Sequence, residues 1–371
     1  MIDTITLSIP REKVVMLDLR DQGVEPWDLQ SSTKDYAKHV KNPSKRDLES
    51  GLYFPCLTGY SRKNGSARAV PTIRIQFSAP KLLFLNNLDE LEENQLNLIV
   101  DTLHDRLLKM GVVIEKNILL NGSVSVAHYS RNILLTGGFT SRFVIGELSK
   151  INISKCFDLA RAKFINDGEC LYAHTNEQAL VIYDKVSDLA KNKKRAMDKE
   201  QSPFQRSLFE PLKQTKEILR IEVRLESRRK IKSLFKKLGF EADPTLKDIF
   251  SAEKSNKVIM SYWEKMVEKN SLLLFANSYN PKELLKQICI AKPKVKGKQA
   301  IYLAGLIVLA RDGNGIRELR GILKKHISDR NWYKVAIDVK DITESLDNLR
   351  PREWYEQVVS SITRYKPFRK D

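Results

Sequence analysis

Four stretches of this chain alternate apolar and polar residues with a period of two, and they lie far apart in the sequence. Within 3–9, Ile5, Leu7 and Ile9 fall on one face; within 71–79, Ile73, Ile75 and Phe77 do so; within 122–130, Val124, Val126 and His128. Within 218–226, Leu219, Ile221, Val223 and Leu225 read as the inner face, and Arg220, Glu222, Arg224 and Glu226 as the outer one. Successive strand residues point to opposite sides, so each stretch buries one face and must find both a neighbouring strand and a cover. Helix-like segments separate them, the longest being "LDELEENQLNLIVDTLHDRLLKMG" at 88–111, ended by Gly111. The pattern predicts an α+β fold with a central antiparallel sheet flanked by helices.

The texture changes after residue 238. "DPTLKDIF", "SNKVIMSYWEKMVEKN", "NPKELLKQICI", "AIYLAGLIVLARDG" and "GIRELRGILKKHI" read as short helices, several with Asp, Ser or Asn near their starts. Two units are therefore expected, 1–238 around the sheet and a mostly helical 239–371. The stretches 61–71 and 191–207 read as charged connections, and "KPKVKGK" at 292–298 as an exposed basic loop.

Charge narrows the partner. The chain has 64 Lys and Arg against 46 Asp and Glu, a formal charge of +18, which predicts a polyanionic partner. Apolar runs such as 300–310 are far shorter than a bilayer span, and the first residues lack a basic start followed by an apolar core. Nucleic acid is thus favoured over membrane, and a cytoplasmic location is expected. Basic clusters occur at Lys191, Lys193, Lys194 and Arg195, and at Arg228, Arg229, Lys230, Lys232, Lys236 and Lys237. They read either as solvated helix faces or as phosphate contacts. "KPKVKGK" and "ILKKHISDRNWYK" at 322–334 point to duplex contacts from the helical unit. The four cysteines form no CxxC pair and the five histidines no HxH or HxxxH pair, so any metal site must be assembled from separate elements.

In "ALVIYDKVSDLAKNKKRA" at 179–196, a short strand gives way to a polar helix beginning near Asp184, with Tyr183 at the junction and Lys185 two residues on. A tyrosine there can attack a DNA phosphodiester, holding the phosphate on its oxygen and releasing a 3′ hydroxyl. A phenol with an ordinary pKa near 10 needs a nearby cation, base or metal to do so. The alternative is a ring packed under the sheet with its hydroxyl at the rim. If 170–184 is a hairpin, His174 faces Ala179 and shares a sheet face with Tyr183, about 13 Å along the strand, so it touches substrate or metal rather than the phenol. Asp158 is a further carboxylate candidate, as a cap or an ion-pair partner.

Five segments together resemble a known family: "MIDTITLSIP", "PTIRIQFSAPKLL", "YAHTNEQALVIYDKVSDL", "ILRIEVRLESRRKIKSL" and "RPREWYEQVV". In this order they resemble the filamentous-phage gene II/X type of phage and plasmid replication initiators, single-tyrosine rolling-circle nicking endonucleases related to the HUH group. The resemblance implies an HUH/Rep-like catalytic domain at 1–238. It places the nucleophile at Tyr183 and a catalytic role at Lys185, through the match of Leu180, Val181, Tyr183 and Lys185 to "LVxYxK". Glu222 matches the carboxylate of the family's "LRxExR" strand, and His128 is the best match for the ligand that precedes the tyrosine. Glu222, His128 and His174 are thus the metal candidates, for Mg²⁺ or Mn²⁺. Arg220, Arg224, Arg228, Arg229, Lys230, Lys232, Lys193, Lys194 and Arg195 are the DNA-binding candidates. On residues alone, Glu222 with Arg220 and Arg224 reads equally as an ion-pair ladder.

The resemblance implies binding and opening of a supercoiled origin, attack by Tyr183 on one strand, priming from the 3′ end, and later rejoining of the displaced strand. A homodimer on the DNA and a bacterial host's replication machinery belong to the same expectation. No GxxxxGK[ST] loop occurs, so unwinding is expected from a host helicase. The alternatives are a non-catalytic origin-binding protein or repressor, and a relaxase or transposase using the same tyrosine chemistry. Tyr129 and Tyr172 are the competing nucleophiles.

Overall fold

The computed structural model describes residues 1–371 apart from 26, 28–35, 45, 46, 48, 63–71, 151–160, 166, 167, 193, 201, 202, 214, 215, 268–279, 313, 314, 346–352 and 371. Among the described residues eleven strands run in chain order: β1 (Ile2–Pro10), β2 (Val15–Met16), β3 (Tyr36–Lys41), β4 (Cys56–Arg62), β5 (Thr72–Ser78), β6 (Val112–Val113), β7 (Ser123–Leu135), β8 (Arg161–Ile165), β9 (Cys170–His174), β10 (Gln178–Asp184) and β11 (Glu217–Leu225). Strands β2 and β6 make a small ribbon. The other nine form one sheet in the order β3-β4-β5-β1-β7-β11-β10-β9-β8, with every neighbouring pair antiparallel. The expected α+β architecture is therefore present.

The alternation in β1, β5 and β11 sets the first face. Leu7 stands opposite Ile75, Ile5 opposite Phe77, and Ile221 and Val223 lie in the same buried cluster. Helices Leu96–Lys109, Arg228–Lys237, Ala252–Val267 and Glu353–Thr363 send Leu103, Leu107, Ile231, Phe235, Trp263 and Trp354 into that cluster. Burial of each such large apolar side chain stabilises the fold by about 1.5–3 kcal/mol.

Three expectations change. The helix read from residue 88 begins only at Leu96, preceded by a 3-10 turn, Glu93–Gln95, whose start is set by a reciprocal capping box of Glu92 and Gln95, so 88–92 is not helical. Val124 and Val126 do not share a face. Between Thr6 and Leu7 the register against β7 skips one residue, so Val124 meets Leu7 whereas Val126 meets Thr6 on the opposite side. This β-bulge also turns His128 away from the apolar core. Third, the boundary at 238 does not separate two cores. The later described residues are helical, as expected, but Ala252–Val267 and Glu353–Thr363 pack directly on β7. The chain then returns to the sheet, where Arg131 donates to the carbonyls of Ser361 at 2.7 Å and Lys366 at 2.8 Å. A smaller cluster, including Leu284, Ile288, Leu303, Ile307 and Ile342, joins the helices Pro281–Ala291, Gly297–Arg311 and Asp329–Ser345.

Candidate active site

The second face of the sheet carries the chemistry. Alternation along β11 puts Arg220, Glu222 and Arg224 in one row. On one side β10 sets Tyr183 opposite Arg220, Val181 opposite Glu222 and Ala179 opposite Arg224. On the other side β7 sets Asn132, Ser130 and His128 against the same three residues. Beyond β10, Cys170 faces Tyr183 and His174 faces Ala179, the hairpin pairing expected from the sequence.

Over β10 and β11 this face is not solvated, in contrast to the outer face read from the sequence. Arg220 is 1% exposed, Glu222 3% and Tyr183 2%. A buried guanidinium must be paired and hydrogen-bonded. Arg220 satisfies this by pairing with Asp3 and donating to the Asn87 carbonyl at 2.8 Å and Asn132 Oδ1 at 3.0 Å. It is thus a structural cation beneath the surface and is withdrawn from the set of DNA contacts. Arg224 is mostly buried and donates to Glu222 Oε1 at 2.9 Å. Arg220 Nε lies 3.6 Å from the other Glu222 oxygen.

His128 sits between two carboxylates, Nδ1 being 3.5 Å from Glu222 and Nε2 3.1 Å from Glu226. The Nε2 contact is close enough for charge pairing but is not aligned as a hydrogen bond. Burial opposes the charged imidazole, yet Glu222 and Glu226 outweigh it and raise the His128 pKa. Burial likewise opposes the Glu222 carboxylate, and Arg224, His128 and Arg220 nevertheless hold it well below its ordinary range.

Tyr183 ends β10. Asp184 caps the short helix Lys185–Ala190, accepting from Ser187 N at 2.9 Å and from its hydroxyl at 2.7 Å. The turn carries Lys185 inward. Its ammonium is buried without a hydrogen-bond partner and lies 5.8 Å from the centre of the Tyr183 ring. Burial, then Arg220, lowers the Lys185 pKa, while burial pushes the Tyr183 phenol well up, against the pull of Arg220.

The chain after this helix covers the site. Asp188 accepts from Met197 N at 2.6 Å, Met197 packs with Tyr183 and Cys170, and Asp198 pairs with Lys81 at 2.7 Å. Gln205 ties Asp198 at 2.8 Å to Asn87 at 3.0 Å. Sequence reasoning missed Asp3, Lys81, Asn87, Asn132, Asp188, Asp198 and Gln205. Period two carried no signal for Asp3 or Asn132, which share the parity of Ile5, Leu7 and Ile9 and of Val124 and Val126 and reach the polar face only through the register shifts between β1 and β7; the others lie on segments with no such periodicity.

The expected metal donors do not converge in this arrangement. The two carboxylates near His128 engage different ring nitrogens, and Glu222 is already shared by Arg220, Arg224 and His128. His174 lies in the row His174, Ala179, Arg224, His128, three strand spacings or about 14 Å from His128. Among the described residues no group of three His, Cys, Asp or Glu is placed to hold an ion. These residues do not fit a bound divalent cation as arranged.

Of the remaining cationic candidates, Arg228, Arg229, Lys232, Lys194 and Arg195 are exposed. Arg229 pairs with Glu177 at 2.8 Å, and Arg228 and Lys232 share Asp243 at 3.1 and 2.9 Å. Lys230 is half-buried at the start of the same helix, and Lys194 and Arg195 lie in the turn after Lys191, beyond the end of the helix at Ala190. Lys193, Asp158 and Cys156 lie outside the described residues. No helix among the described residues is long and apolar enough to cross a membrane. Comparisons with protein-family models, curated proteins and solved structures found no match to this chain.

Proposed function

We propose that this chain is a rolling-circle replication initiator that nicks one strand of origin DNA through a phosphotyrosine link on Tyr183, leaves a 3′ hydroxyl primer and later rejoins the displaced strand. The sheet with its covering helices then serves as an HUH/Rep-like catalytic domain. The observation that carries this reading is the pairing of Tyr183 with a buried, unpartnered Lys185 ammonium beside its ring, opposite Arg220. The Lys185 ammonium beside the ring favours the phenolate as the phenol's proton passes to solvent. The phenolate attacks phosphorus, the bond from phosphorus to the 3′ oxygen breaks, and that oxygen leaves with a proton from solvent. Exposed Lys194, Arg195 and Arg229 hold the flanking phosphates. Because Tyr183 is buried and Met197 packs against the cluster that contains it, the cover spanning Met197 and Asp198 must move before DNA reaches the phenol. A host helicase supplies unwinding. No step is routed through a metal.

The burial of Tyr183 favours a second reading, a non-catalytic origin-binding protein that kept the fold. Supercoiled origin DNA from the protein's own replicon, incubated with the protein and Mg²⁺ or Mn²⁺, separates the two. The first reading expects an open-circular product with covalently attached protein, absent for Tyr183→Phe although that variant still binds. Intact supercoiled DNA throughout supports the second. Mapping the trapped nucleotide to Tyr129, which is buried on the core face, or to Tyr172 would displace Tyr183 as the nucleophile.

A further inference from the structure

The second face is covered only in part. Over β10 and β11 it lies beneath the helix Lys185–Ala190 with Met197, Asp198 and Gln205, but across β3, β4 and β5 it opens to solvent: Lys38, Val40, Arg74 and Gln76 are exposed. The register places these residues on the same side as the Tyr183 row. Val40 faces Thr58, Thr58 faces Arg74, and Gln76 faces Thr6, which meets Val126 across the bulge. Tyr60, two residues from Thr58 and opposite Lys38, therefore shares that side, and the Arg74 guanidinium stands 5.2 Å from its ring centre.

We propose that this open half of the sheet is a platform for single-stranded DNA that leads the strand toward Tyr183, with Tyr60 and Arg74 stacking on bases and Lys38 and Arg74 taking phosphates. Single-strand sites combine a positive surface with flat groups on which bases stack, and an open sheet face supplies both. The described side chains of β3, β4 and β5 on this face include two cations, an aromatic ring, an amide and hydroxyls, but no carboxylate. Carboxylates reach it only at its margins, where Asp3 accepts from Ser78 Oγ at 2.7 Å and Glu200 from the Tyr53 hydroxyl at 2.8 Å. An exposed Val40 at 47% suits contact with a base rather than a solvated strand edge. Four strand spacings, about 19 Å, separate β5 from β10, so a strand lying across the sheet reaches the nucleophile within a few nucleotides. A duplex is too stiff and too wide to place its bases on this surface. This inference names the substrate of the site proposed above and rests on that reading for its direction, but its test does not depend on cleavage.

The test uses the full chain and a fluorescein-labelled single-stranded oligonucleotide of about 15 nucleotides, near the upper end of a one-fold site. Anisotropy titrations are run over a range of salt. Tyr60→Ala is expected to weaken binding about 5- to 100-fold with an unchanged salt slope, the loss of one stacked base. Tyr60→Phe keeps the ring and stays within about threefold of wild type. Arg74→Ala lowers the slope by about 0.7, one single-strand phosphate. Lys282→Ala, an exposed cation far along the chain, leaves both quantities near wild type. The three substituted residues have exposed or half-buried side chains, and matching thermal unfolding of each variant confirms the fold. Binding within twofold of wild type for both Tyr60→Ala and Arg74→Ala overturns the platform. So does an equal loss on a duplex of the same length, or an equal loss for Lys282→Ala. Loss of single-strand binding in these variants, alongside normal cleavage by Tyr183→Phe, keeps the platform and removes the nucleophile.

Discussion

Arg220 offers the sharpest separation between a DNA contact and a structural cation. Replacing it with Met keeps much of the side-chain length and removes the charge. Asp3, a buried carboxylate, then loses its guanidinium partner, and the Asn87 carbonyl and Asn132 amide lose donors at 2.8 and 3.0 Å. Glu222 also loses one of its cations, at 3.6 Å. Breaking a buried pair by deleting one partner costs about 3–5 kcal/mol, because the remaining charge stays desolvated. Arg220→Met should therefore lower unfolding free energy by roughly that amount, read from urea denaturation followed by circular dichroism. Adding Asp3→Leu should restore part of the loss, since the stranded carboxylate is gone. The folded fraction of Arg220→Met should bind DNA with an unchanged salt slope. A variant within about 1 kcal/mol of wild-type stability whose salt slope falls by about one unit would refute the assignment, because that is the signature of a surface arginine on a phosphate.

Further outcomes follow from the same geometry. Asp198→Asn removes the partner of buried Lys81, and should both destabilise the chain by about 3 kcal/mol and speed tryptic cleavage near Lys194, Arg195 and Lys199; unchanged cleavage would show that this pair does not hold the cover. Arg229→Ala removes an exposed pair with Glu177 and should leave stability near wild type while lowering the DNA salt slope by nearly one unit, as titration at several salt concentrations reads out. Because its folded pKa is raised, His128 contributes stability that is full below its unfolded value of 6.5 and fades as pH rises through the folded pKa. Glu222, depressed in the folded state, contributes above its ordinary 4.5 and fades as pH falls through the folded pKa. The stability gap between wild type and His128→Ala should thus be widest between these two values and shrink toward alkaline pH; a gap that grows above neutrality contradicts the pairing.

The sequence alone determined the sheet's apolar side. Period two in β1, β5 and β11 requires Leu7, Ile75 and Ile221 to share a core, and the Asp184 cap sets the turn that follows Tyr183, because both depend on residues a few positions apart. It also fixed that Tyr183 and His174 share a face through a hairpin register. What it left open was the fate of the other side. Alternation says which residues share a face, but not what lies over it, so Arg220, Glu222 and Arg224 read as a solvated ladder. Their burial depends on groups that arrive from far along the chain: Asp3 lies 217 residues from Arg220, and Gln205 reaches Asn87 across 118. The side to which His128 points was decided by one extra residue in the β1–β7 ladder, since a bulge shifts the period-two pattern by one and reverses every side chain beyond it. Only the assembled sheet could reveal that shift, because it exists in the pairing of two strands rather than in either strand's own sequence.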